Sequence, residues 1–72
     1  MNKNIIPRKF NCIIGKMLID TNANKINDIL HIYKNDVSTG YLALNVRTQK
    51  YYQCFVSMLR DTECFELIEV NK

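Results

Sequence analysis

Between residues 39 and 59 the chain alternates apolar and polar positions, TGYLALNVRTQKYYQCFVSML, with a polar interruption at Thr48–Lys50. Alternation with period two marks a half-buried strand, and two such runs across a short polar break predict a β-hairpin. The first run groups Leu42, Leu44 and Val46; the second groups Tyr52, Cys54, Val56 and Met58. For both groups to share one buried face, paired positions must have an even sum, as in 46 with 52 and 44 with 54. That register implies a loop of three or five residues around Thr48, Gln49 and Lys50. A two-residue Gln49–Lys50 loop is rejected because it sets Leu44 and Val46 opposite Gln53 and Phe55.

The remaining elements follow from the same periodicity. Residues 1–7 read as a flexible arm ending at Pro7, ahead of a single small globular domain over 8–72. From Lys9 a strand places Phe10, Cys12 and Ile14 on one face. The phase then slips at Gly15, and Met17 and Ile19 continue the apolar side, the pattern of a β-bulge. DTNANKIND, residues 20–28, is a polar loop. Ile26, Ile29, Leu30 and Tyr33 fit a helical face, but ILHIY is dense in β-branched and aromatic residues, so a strand over about 29–34 is preferred to a helix over about 22–35. NDVSTG makes the next loop, residues 59–62 a short turn, and CFELIEV a last strand with Phe65, Leu67 and Ile68 as its apolar content.

Four or five short antiparallel strands, a bulge and a turn before the last strand predict a mostly β fold, a small SH3-like barrel. The alternative is α+β, a four-stranded antiparallel sheet carrying one helix at about 22–35.

Composition narrows the class. At 72 residues only one domain fits, and a 47% hydrophobic share with 24% charged residues lies well outside the disordered range. A domain this small has few side chains to spare from its core, which disfavours a large substrate cleft. No apolar run approaches the ~18 residues of a membrane span. The opening MNKNIIPRKFN lacks the apolar stretch of a signal peptide. Three cysteines, an odd number beside apolar neighbours, read as reduced thiols in a cytoplasmic setting. The abundance of Asn, Ile and Lys fits an AT-rich genome and a phage or mobile-element origin. The net charge of +3 is spread unevenly: Lys3, Arg8, Lys9 and Lys16 lie early, and Asp61, Glu63, Glu66 and Glu69 lie late. If the first and last strands pair, these charges answer one another and help set register.

Catalytic and metal chemistry find little support in the residue types. His31 with Cys12, Cys54 and Cys64 has the composition of a zinc site but no closely spaced ligand pair, so the cysteines read as small core hydrophobes and no metal is expected. One histidine makes a poor kit for nucleophilic catalysis. Glu63, Glu66 and Glu69 read as a solvated strand face, and the two glycines stand too far apart to cradle phosphate. A non-enzymatic protein without cofactors is expected.

The positive expectation is a partner surface. In the even-sum register Arg47 pairs with Tyr51 and Ala43 with Phe55, so Tyr41, Arg47, Tyr51 and Phe55 share the hairpin's outer face, with Lys50 at the loop tip. Such a patch serves structural cover, a protein interface rich in Tyr and Arg, or base stacking on single-stranded RNA or DNA. Scattered cations weigh against nucleic acid. The expected function is therefore a stoichiometric inhibitor or adaptor of a protein partner. Nucleic-acid binding is the alternative, and a homodimer through the same patch is the remaining option.

Overall fold

The chain forms β1 (Cys12–Met17), β2 (Ile29–Lys34), β3 (Tyr41–Asn45), β4 (Lys50–Cys54), the one-turn helix α1 (Val56–Arg60) and β5 (Phe65–Asn71). These come from a computed structural model that describes residues 4–35 and 40–72. Residues 1–3 of the expected arm and 36–39 of the expected loop lie outside the described residues. The five strands make one antiparallel sheet in the order β4-β3-β2-β1-β5. A four-strand meander, one helical turn and a last strand returned to the first give the mostly β, SH3-like architecture that the pattern predicts. No helix forms over 22–35; Ile29–Lys34 is the strand that its β-branched content favours.

The faces differ from the expectation in two strands. In β1 the buried positions are Ile13, Gly15 and Met17, while Cys12 and Ile14 point the other way. The phase changes in the bend at Asn11, after the buried Phe10, and not at Gly15. A register irregularity does sit between Ile14 and Gly15, but its extra residue belongs to the partner strand: Ile14 faces Glu69 and Gly15 faces Leu67, leaving Ile68 as the bulge.

The hairpin is the larger correction. Tyr41 pairs with Cys54, Ala43 with Tyr52, Leu44 with Tyr51 and Asn45 with Lys50, an odd-sum register closed by the four residues Val46–Gln49. Asn45 explains this loop. Its side-chain Oδ1 accepts the backbone N–H groups of Arg47 and Thr48 at 2.9 and 3.2 Å, and its carbonyl accepts that of Gln49 at 2.8 Å. Gln49 then takes a left-handed conformation (φ 59°) and turns the chain into β4. Ala43 and Asn45 therefore face inward, and Leu42 and Leu44 face outward.

The core gathers Phe10, Ile13, Met17, Leu30, Ile32, Ala43, Cys54, Leu59 and Phe65, with Ile6, Tyr41, Tyr52, Met58, Leu67 and Val70 packed around it. Leu59 of α1 and the segment before β1 close the inner face. Asn4 holds that segment in place, its side-chain amide donating to the carbonyls of Leu59 (2.8 Å) and Phe65 (2.7 Å). Lys16 and Glu66, opposite each other on β1 and β5, approach to 3.8 Å, so first- and last-strand charges do meet at this pair.

Gly15 is required by a close approach. A Cβ there would lie 2.0 Å from Cζ of Phe65, which is itself fully buried. Gly15→Ala is expected to destabilise the fold by about 1–3 kcal/mol through overpacking. Urea denaturation should show that cost shrinking when Phe65→Leu is made first, because the smaller side chain vacates part of the contact.

Candidate functional site

The outer face of the sheet carries more apolar surface than alternation alone foresees. One row crosses all five strands: Glu69, Ile14, His31, Leu44 and Tyr51 from β5 to β4. A neighbouring row sets Tyr33, Leu42 and Gln53 side by side, with Cys12 beyond Tyr33. Ile14, Ile29, His31, Tyr33, Leu42 and Leu44 are each half-buried, while Tyr51 is 58% exposed. Burial raises the Tyr33 phenol above its ordinary pKa, with Cys12 beside it adding to the shift. Polar groups bound the patch: Glu66, Lys16 and Glu69 on the β1–β5 side, Gln53 on β4.

The residues expected to share one face do not do so. Tyr41 points to the inner face and stacks on Phe10, with ring centroids 5.7 Å apart. Arg47 lies in the hairpin loop and binds Asp28. Lys50 opens β4, exposed, with the parity of Tyr52. Tyr51 occupies the outer face, and the exposed Phe55 follows β4 as the residue capping α1. Ile14, His31, Tyr33, Leu42 and Leu44, which share the outer face with Tyr51, were not selected from the sequence. For Leu42 and Leu44 the signal was the Asx-turn at Asn45, which reverses the hairpin's faces, and for Ile14 it was the phase change at Asn11.

A polar network fixes the hairpin against the 20–28 loop. Asp28, only 6% exposed, receives Arg47 Nε on Oδ1 at 2.7 Å and Arg47 Nη2 on Oδ2 at 2.9 Å. The same Oδ2 accepts the Lys25 backbone N–H and the Asn45 amide, each at 2.8 Å. Asn45 Nδ2 also donates to Asn24 Oδ1 at 2.9 Å, and Asn24 Nδ2 donates to the Tyr52 hydroxyl at 2.6 Å. Among the described residues no buried side-chain polar atom lacks a partner. A buried network satisfied in this way specifies one arrangement of the loops it joins.

The cysteines are free thiols. Burial pushes the Cys54 thiol up to about 11, while Cys64 is raised by donating to Asp61 Oδ2 at 3.3 Å. Among the described residues no three His, Cys, Asp or Glu side chains gather as a metal site, and no helix is long and apolar enough to cross a membrane. No protein-family model matches the chain, and neither curated proteins nor solved structures offer a significant match.

The network carries a pH signature. The Arg47 guanidinium, the Lys25 N–H and the Asn45 amide hold Asp28 well below the usual carboxylate range. A carboxyl depressed in the folded state contributes its full stability above its unfolded pKa of about 4, and loses it as the pH falls through the folded value. Asp61, lowered chiefly by the Glu63 N–H, acts in the same direction. The wild-type urea midpoint is expected to drop steadily below about pH 4. Asp28→Asn should start lower at neutral pH and fall less steeply, keeping only the remaining acid dependence.

Proposed function

We propose that this protein is a non-enzymatic binding module that engages a protein partner through the outer face of its sheet. It would act as a stoichiometric inhibitor or adaptor in a reducing compartment such as the cytoplasm, in keeping with its free thiols. The observation that carries this reading is the row Ile14–His31–Leu44–Tyr51, contiguous across four strands and rimmed by Glu69, Lys16 and Gln53. An apolar centre with a polar rim and a protruding tyrosine is the anatomy of a protein interface. Leu44 separates the His31 and Tyr51 rings, so the row offers bases no continuous stacking platform, and the carboxylates of Glu66 and Glu69 on one side oppose a phosphate backbone. These features favour protein over nucleic acid on this face.

The test immobilises wild type and Leu44→Asp side by side and quantifies retained proteins by mass spectrometry, with circular dichroism checking the fold of the variant. A partner retained near one-to-one by wild type should bind Leu44→Asp about thirtyfold more weakly or worse, the loss typical of an interface hot spot. Identical retained sets would refute the outer-face reading. A wild-type dimer in light scattering that Leu44→Asp converts to monomer would reassign the face to self-association.

A further inference from the structure

The strand order leaves β4 and β5 at the edges of the sheet, and the two edges differ in character. β5 carries a bulge at Ile68 and the carboxylates of Glu66 and Glu69, features that blunt an edge against strand pairing. β4 has a regular register with β3, and its residues Lys50–Cys54 include no acid and no proline. Lys50, Tyr51 and Gln53 are exposed, as is Phe55 just beyond the strand.

The hydrogen-bonding groups on this edge can be assigned. The Val46 N–H donates to the Ile29 carbonyl at 3.0 Å, so Val46 turns its backbone toward β2. Backbone groups alternate sides along a strand, and Asn45, Ala43 and Tyr41 therefore turn theirs toward β4. There they meet Lys50, Tyr52 and Cys54, their register partners. The N–H and C=O groups of Tyr51 and Gln53 are left pointing away from the sheet.

This edge is complementary to itself. Antiparallel pairing of two β4 strands with Tyr52 on a two-fold axis sets Tyr51 opposite Gln53 of the second copy, and Gln53 opposite its Tyr51. Each such pair exchanges both N–H···O bonds. A register centred on Tyr51 would need Gln49 to pair as a strand residue, but Gln49 is left-handed (φ 59°). One centred on Gln53 would need the Phe55 carbonyl, which already accepts the Met58 N–H at 3.1 Å. The Tyr52-centred register also keeps like charges apart, because each Lys50 falls beside Cys54 of the other copy. Phe55 has extended backbone and continues the parity of Tyr51. Across the axis it lies diagonal to Tyr51 of the second copy, about 7–8 Å away and within reach of an aromatic side chain. Phe55 and Tyr51 are 64% and 58% exposed, and the pairing gives both rings a neighbour.

We propose that β4 pairs antiparallel with β4 of a second copy in this register, joining two sheets edge to edge in a two-fold dimer. The inference does not rest on the outer-face reading, because the dimer leaves Ile14, His31 and Leu44 free to engage another protein. The contact is short compared with a standard interface, so the dimer forms reversibly with concentration.

The test is sedimentation velocity of the full chain up to about 1 mM, paired with amide hydrogen exchange read by NMR at low and high concentration. A monomer–dimer equilibrium is expected, with the Tyr51 and Gln53 amides gaining protection as the dimer fills and the Leu67 and Val70 amides of β5 unchanged. Gln53→Pro removes an N–H that the β3–β4 ladder does not use, at an edge position where proline is tolerated. It should weaken the dimer about tenfold or more, since the two-fold doubles the loss, with circular dichroism confirming the fold. Tyr51→Lys with Phe55→Lys, both at exposed positions, should weaken it to a similar degree by setting cations diagonally across the axis. Leu44→Asp, one strand in from the edge, should leave the dimer intact, which separates this contact from self-association through the outer face. A chain monomeric at 1 mM, a folded Gln53→Pro variant that dimerises as well as wild type, or growth beyond the dimer with protection of the β5 amides would each overturn the proposal.

Discussion

The Asp28 carboxylate is the junction that decides which way the hairpin faces. It lies at the end of a polar loop, almost shut off from solvent, and a carboxylate in that position is tolerated only when its oxygens are fully bonded. Arg47, Asn45 and the Lys25 N–H supply those bonds from two separate parts of the chain. For Asn45 to reach Asp28 it must point inward, and with it go Ala43 and Tyr41. Leu42 and Leu44 are thereby sent outward. The apolar outer face thus follows from a polar requirement on the inner one.

The inner face accommodates the exchange because its volume is supplied elsewhere. Ala43 lies opposite Ile32 on one side and Tyr52 on the other, so a small residue between two large ones still fills the layer. Gly15 repeats the device beneath Phe65. Hydrophobic size alone would place the leucines inside; packing complementarity and satisfaction of the buried carboxylate place them outside.

This explains what was legible in the chain. The strand at Ile29–Lys34 could be read from its β-branched density and the hairpin from alternation, whereas the helical turn Val56–Arg60 takes up Val56 and Met58, which alternation assigns to the hairpin, and half of the expected turn over 59–62. Register was less accessible, because inverting every side chain of a strand needs a shift of only one residue. The deciding information was the Asn45 side chain, which competes for the loop's N–H groups and permits a four-residue connection that a count of apolar positions does not weigh. The candidate surface shifted with the register: Tyr51 stayed on it, Tyr41 joined the core, and Arg47 became a strut. Asp28 was passed over as one of many polar residues in an Asn-rich loop, since nothing local in that loop announces a partner 19 positions away.

The bond from the Asn4 amide has a kinetic side. It spans 55 and 61 positions to reach Leu59 and Phe65, and the slot above Gly15 waits on the same distant phenyl ring. The meander from β1 to β4 joins neighbours in the chain, whereas β5 must return to the far side of β1. Loop-closure entropy is paid before such distant contacts reward it. In the folded sheet β5 covers the β1 edge and brings Phe65 over Gly15, so a chain without its last strand would present both an unfilled groove and an open edge able to pair with another chain.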